Sequence, residues 1–558
     1  MTGTTAETDL KSVKAKPLLL FFNVLVSRRR HGDKESLMRI VILRSLAIAL
    51  AIAAAFCVFT NRMVSAQGPS SPIGDRPALE KHVNQTDIEN GAIGFSQLVE
   101  IGESIFAARW TKLDGQGRPA ATGSGVPTKR DRSHDPGFLR TSGTDSTSCA
   151  DCHNQPTIGG ADGFVANVFV LAQNLDPVTD SVSAEFSNER NTLAMNGSGA
   201  IEMLAREMTA NLQSIRDAAV SQAKSSNKSV TSRLDTKGVN FGQITANPNG
   251  TLDTSGVQGI DTDLIVKPFH QKGVVNSVRV FTVNAFNHHH GMEAVERFGF
   301  GQKDNKGNVI NTHDFDEDGV PDELTVGDIT AATLFQVAMN IPGRVIADDP
   351  WRRAAAERGE EQFAEVGCAD CHKPALVLDS RAFVEPNPYN PAGNLRVQDV
   401  RRPYTFDMTS DIPGPRLERL GPGGAIVRAY TDLKRHVICD FADPFFCNER
   451  LIQSGVPVDQ FLTRKLWDVG NTAPYGHRGD LTTITEAILH HAGEARLARE
   501  RFEALSKDQQ AEIVEFLRQL QILPNGSPRK IREDVLRELL RIRKSATVST
   551  VPERKDQP

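Results

Sequence analysis

The chain has 558 residues, room for two large units or about three to four average domains. Its 64 basic and 69 acidic residues leave a formal charge of −5, which argues against a nucleic-acid footprint or a polybasic membrane surface and leaves small molecules and protein partners. Aromatic content is only 6%, and 44 glycines with 29 prolines suggest long ordered loops between helices, so the expected fold is mostly α with small β hairpins.

In chain order, residues 1–66 read as a signal region. Arg39 and Arg44 precede the apolar run LAIALAIAAAFCVF (46–59), and MVSAQGP supplies a small-residue cleavage site after Ala66. The run is short for a spanning helix, so an uncleaved anchor, the one case with a membrane tether, is the lesser alternative. Met38 begins an ordinary signal by itself, which makes it the expected start. The mature chain is expected in the periplasm, an oxidising compartment where Cys439 and Cys447 suit a disulfide, free buried thiols being the alternative.

A first unit, 67–345, opens after a Pro/Gly/Ser-rich linker with the helical pattern GFSQLVEIGESIFAARWT. It continues to Cys149, Cys152 and His153 in DSTSCADCHNQP. A long helix pattern, GAIEMLAREMTANLQSIRDAAVSQA, precedes a polar alternating segment, 226–262, with hairpin turns. A further helix is expected from Asn276 through VRVFTVNAFNHHHGMEAVERFG, and DITAATLFQVAMNIP closes the unit. A second unit, 346–525, opens with a helix that delivers Cys368, Cys371 and His372 at its C-terminal end, and closes with a helix capped by Ser506. Each half thus has a helix before C-x-x-C-H and helices after it, as a duplicated module would. The tail, 526–558, carries a basic amphipathic helix that reads as a solvated surface element.

C-x-x-C-H is the attachment signature of c-type haem: two thiols add to the vinyl groups, and the adjoining histidine reaches the iron. A redox dithiol or half of a zinc site could also use C-x-x-C. Two copies with histidine directly following, in an exported chain, favour two covalent haems. The other histidines concentrate in FNHHHGM (His288 to His290) and ILHHAGEA (His490, His491), with His82, His134, His270, His313, His436 and His477 scattered. On a helix His289 shares a stripe with Phe281 and Ala285, and His290 one with Phe286 and Glu293, so either could face a haem. DFDEDGVPDEL places Asp314, Asp316, Asp318 and Asp322 at positions 1, 3, 5 and 9 of a calcium loop, with Gly319 at the turn. Thr325 stands at position 12, so Glu323 or Asp328 would have to supply the bidentate ligand; an acidic solvated turn is the alternative.

The segment LWDVGNTAPYGHRGDLTTITEAILHHAGEA (466–495), joined to two C-x-x-C-H motifs, resembles the di-haem oxidoreductases of the bacterial di-haem cytochrome c peroxidase superfamily. The resemblance extends over about residues 80–525 and implies two cytochrome c-like haem domains. It implies a cofactor-binding role for His477 in the A-P-Y-x-H-x-G loop and, fourteen residues on, His491 opposite His372 on the second haem, where methionine is common in the superfamily. It makes the first haem the peroxide-reactive one, with a nearby carboxylate that moves protons; Glu296, or in second place Glu293, could fill that role, although the superfamily's FWDGR-like core is absent and a surface glutamate is the alternative. In AYTDLKRHVICDF, where an H-D-M-G element is common, His436 is followed by VICD, which puts its role in doubt. The expected function is an exported di-haem oxidoreductase of peroxidase type, supplied by an external electron-donor protein and reducing a small oxidant such as peroxide. The alternative is a di-haem electron-transfer cytochrome without a substrate site.

Overall fold

The computed structural model of the chain describes residues 74–117, 134–135, 146–163, 165–168, 188–298, 303–304, 319–449 and 452–548. The signal region and the calcium-loop residues Asp314, Asp316 and Asp318 lie outside the described residues. Residues Asp75–Pro558 gather into one unit.

Helix α1 (Phe95–Ala107) buries Leu98, Gly102, Ile105 and Phe106, a stripe at helical spacing. Helix α2 (Ser198–Ser226) is bounded by left-handed residues, Gly197 and Asn227, and its first half is buried almost all round. Strands β1 (Val230–Thr236) and β2 (Val239–Ala246) are joined through Lys237 and Gly238, both at positive φ, the two-residue turn whose twist matches antiparallel strands. β3 (Leu252–Asp253) completes this sheet. Helix α3 (Val278–Ala285) passes into a π turn, Phe286–His290, which Gly291 ends at φ 68°.

Helix α4 (Val326–Val337) starts at a reciprocal cap between Thr325 and Asp328. Strand β4 (Gly343–Ile346) leads into α5 (Pro350–Glu365), capped by Asp349 with proline in the first turn. Gly367, at φ 97°, breaks the chain out of α5 into the 3-10 turn Cys368–Asp370. β5 (Arg435–Val437) pairs with β6 (Gln460–Leu462). Helix α6 (Ile484–Leu489) is capped by Thr483 and Glu486, and α7 (Lys507–Arg518) by Ser506 and Gln509. β7 (Leu520–Gln521) and β8 (Lys530–Arg532) flank β4 before the tail helix α8 (Glu533–Val548).

Two helix crossings frame the molecule. A Cβ on Gly102 of α1 would collide with the Ala331 carbonyl and Phe335 of α4, and one on Gly359 of α5 would collide with the Glu512 carbonyl of α7. In each half, then, the helix that precedes a C-x-x-C-H motif meets a later helix backbone to backbone through a glycine. The main core draws on both halves, with Ile201, Leu204 and Met208 of α2 joined to Leu378, Phe383 and Trp467.

The expectation of a mostly α chain needs amending. The helical frame is there, but the described residues also form seven sheets of two or three strands, which makes the fold mixed. Runs such as LVL (376–378) and GAIV (424–427) are too short to show a period, and they become strands because they find each other. The expected helix from Asn276 through the histidines is also interrupted. The π turn adds a residue to the turn, so the α-helical stripes do not carry through His288–His290, and Glu293 falls beyond Gly291.

Candidate haem centres

At the first motif Ser148 caps a short helix, Cys149–Cys152, by accepting from the Ala150 amide. The His153 amide donates to the Cys149 carbonyl at 3.1 Å, and His372 repeats this bond to Cys368 at 3.0 Å. One tight turn therefore sets both cysteines and the histidine at each motif. The thiols are unbridged, and burial pushes those of Cys149 and Cys368 up to about 12. His153 Nδ1 donates to the Gly160 carbonyl at 3.3 Å, and His372 Nδ1 to the Tyr430 carbonyl at 3.1 Å. Burial pushes both imidazoles down to about 4, so each is neutral and keeps its Nε2 lone pair for a metal.

Both motifs open on one continuous cavity of about 520 Å³, lined by Cys149, Cys152, His153, Cys368, Cys371 and His372 and by residues from many other segments. Across it from His372 stands His491, with ring centroids 6.5 Å apart. Two metal–imidazole bonds of about 2 Å, plus the distance from each nitrogen to its ring centre, span about 6 Å, so one iron fits between them. His491 Nδ1 donates to the Ala487 carbonyl at 2.7 Å, which fixes the ring. Ile484, Ile488 and His491 line the cavity together, whereas His490 stacks on Phe445 at 3.9 Å, with its Nδ1 3.6 Å from Asp443. The Cys439–Cys447 disulfide, expected from the sequence, closes the loop that carries Phe445 and Phe446, and Phe446 lies edge-on to His491.

These residues fit haem better than the alternatives. Among the described residues the one cluster of three metal-type ligands is Cys371, Asp432 and His436, which takes one thiol of one motif and so completes no Cys-x-x-Cys zinc site. The unbridged thiols, the tied Nδ1 atoms and the His372–His491 spacing suit a planar ring held at each motif.

Around the first motif, His289 and His290 of the π turn both line the cavity. His290 is committed: Nδ1 donates to the Ser146 carbonyl at 2.8 Å, and Nε2 lies 3.4 Å from the Cys149 sulfur. His289 is near enough to His153 to help lower its pKa. His477 lines the cavity, donates from Nε2 to Asn448 Oδ1 at 2.7 Å, and ties its loop to the first half by accepting the Asn191 amide at 2.8 Å.

The carboxylates expected to move protons lie apart from the cavity lining. Neither Glu296 nor Glu293 lines the cavity. Glu296 is spent in a buried pair with Arg279 Nε at 2.9 Å, because Arg279 is wholly buried and needs counter-charges from Glu296 and Glu385. Glu293 is buried, with its amide bonded to Glu323. Asp322, the one calcium-loop aspartate among the described residues, sits at φ 54°. Asp328 is not a free ligand, since it accepts from His82, Val83 and Thr325.

Three further cavity residues have no role that the sequence assigns. His436 is clamped between Asp432 and Glu494, each at 2.8 Å. Burial works against its charge, but the hydrogen bonds to Asp432 and Cys371 push it up to about 11. The i, i+4 spacing of Asp432 and His436 was the available signal. His270 and Arg190 also line the cavity, and nothing local marks either.

No curated protein matches the chain. Among solved structures, Kuenenia stuttgartiensis hydrazine synthase pressurised with 20 bar xenon is similar over 82% of this chain and 98% of that one, at 12% identity and a TM-score of 0.31, a likeness too slight to carry an argument. Residues 430–520 match the family described as "Di-haem oxidoreductase, putative peroxidase". That segment contains Tyr430, which receives His372, together with His436, His477 and His491, so the similarity to the di-haem oxidoreductase family falls on residues that wall the second motif's side of the cavity.

Proposed function

We propose that the chain is an exported di-haem c-type oxidoreductase of peroxidase type, taking electrons from an external donor protein and passing them to a small oxidant such as peroxide. The observation that carries this reading is the single cavity shared by both C-x-x-C-H motifs, since haems held at both would lie near each other, as centres that exchange electrons must. A haem bound at each motif supplies an iron that changes its electron count and, where a coordination position opens, accepts a small oxidant.

The chain's own residues divide the work. Cys149 with Cys152 and Cys368 with Cys371 are the covalent tethers, and His153 and His372 the proximal ligands. His491 would close the second centre from the side opposite His372. His289 faces the first centre, where the apolar side chains of Phe106 and Met195 line the cavity and limit water. His477 braces the loop between the halves. Calcium at Asp314, Asp316, Asp318 and Asp322 belongs to this reading on spacing alone.

The test is to mix half-reduced protein with hydrogen peroxide while recording optical and electron paramagnetic resonance spectra. Turnover to water with a change confined to one haem is expected. Two irons that stay six-coordinate and ignore peroxide would replace this reading with an electron-transfer cytochrome, which the placement of His289 near His153 and His491 across from His372 would then explain.

A further inference from the structure

With Glu293 and Glu296 turned away from the cavity, the first centre needs another group to move protons. The loop 268–273 presents one. His270 lines the cavity in a left-handed backbone conformation, φ 64°, that side chains other than glycine rarely adopt. Such strain persists only where the surroundings over-determine it. Here they do. Gln271 donates to the Asn191 carbonyl at 2.8 Å, and its own carbonyl accepts the Leu462 amide at 2.9 Å. Lys272 Nζ, fully buried, is held by the carbonyls of Pro457 and Gln460 at 2.7 Å each and pairs with Glu449 at 3.2 Å. The two residues after His270 are thus pinned to the second half, and the imidazole that precedes them is aimed by the backbone.

The ring lies on Phe281, 4.8 Å between centroids, and Phe281 packs in the cluster that includes Cys149, which places His270 on the first centre's side. No described residue hydrogen-bonds the ring. Burial, with help from Arg190 and His289, pushes its pKa down to about 3, so it is a neutral acceptor. Arg190, also on the cavity wall, uses its terminal nitrogens on Glu449 and Gln453 but keeps a buried Nε–H with no partner. Arg190 and Lys272 share one carboxylate, Glu449, and of the three Arg190 is the one that lines the cavity.

We propose that His270 is a catalytic proton carrier for a hydroperoxide at the first centre, with Arg190 as the electrostatic partner beside it; this rests on the peroxidase-type reading above. His270 takes the proton from the inner oxygen and returns it to the outer oxygen, while the Arg190 guanidinium favours the charge that develops as the O–O bond breaks. The outer oxygen leaves as water with the bonding electron pair. The external one-electron donor is oxidised twice, and with two protons from solvent each hydrogen peroxide becomes two waters.

The test uses the full-length holoprotein with His270→Asn, which tolerates the left-handed backbone, and His270→Gln. Haem content and the ferric resonance spectrum should match the unaltered protein. The rate of reaction with hydrogen peroxide should fall by about a hundred-fold or more. Hydrogen cyanide, which must also shed a proton to bind iron, should bind the half-reduced variants more slowly by a similar factor. If either variant turns a low-spin ferric signal high-spin, His270 is an iron ligand and the proposal is overturned. Unchanged rates with both probes would overturn it too. Should the unaltered protein ignore peroxide, the peroxidase reading fails on its own, and the cyanide rates still decide whether His270 moves a proton.

Discussion

The two motif sites share one half of their geometry and differ in the other. At each, the histidine amide bonds back to the first cysteine carbonyl and Nδ1 bonds to a carbonyl outside the motif. Opposite them the sites diverge. Facing His372 is one fixed ring, His491, locked to Ala487 and walled by Phe446. On the side of His153 lies a π turn with several histidines, and His270 on an independently braced loop. The pentapeptide dictates the proximal side because all its atoms lie within one turn. The distal side is assembled from remote segments, so duplicated motifs can serve one closed and one reactive centre.

The largest test of this contrast is attachment itself. Replacing Cys149 and Cys152 by alanine, or Cys368 and Cys371, should each take the covalent haem content from two to one by pyridine haemochrome analysis, and zinc in place of haem would end the comparison. Next, His491→Met should raise the potential of the second haem by a sizeable part of the ~0.8 V span that axial ligands command, and add a thioether-to-iron absorption band. His490→Met should change neither, because that ring is stacked on Phe445. The reverse result would shift the ligand by one residue.

Gly102→Ala and Gly359→Ala probe the two frames in parallel. Each added methyl meets a helix carbonyl, so each should cost about 1–3 kcal/mol in unfolding experiments. A loss at only one crossing would show that the halves are not equivalent in stability.

The smallest effect concerns pH and the second site alone. Burial works against the charge of folded His436, but its hydrogen bond to Asp432 holds the proton above the ordinary value of about 6.5 that it has when unfolded. Its contribution to stability is therefore complete below about pH 6.5 and is lost as pH rises through the folded value. The melting temperature should fall between pH 7 and 10, and His436→Gln should flatten that fall; an unchanged slope would mean that Asp432 and Glu494 do not hold the charge.

Much of the frame was legible in the residues. Ser506 with Gln509 and Thr483 with Glu486 close capping boxes, and Lys237–Gly238 makes the turn of a hairpin, because caps and turns are decided by partners three or four residues away. The motif cysteines and their histidines were legible for the same reason. The pairing of Glu296 was not legible, because nothing near it announces that Arg279, seventeen positions earlier, will be buried and claim it. The π turn was equally hidden, since its register follows from the contacts of His290 with Ser146 and Cys149, more than a hundred residues away. Local chemistry set the geometry of each Cys-x-x-Cys-His turn; only the packing of distant segments decided which histidines, arginines and carboxylates share the cavity, because buried charges and rings take the partners that folding brings to them.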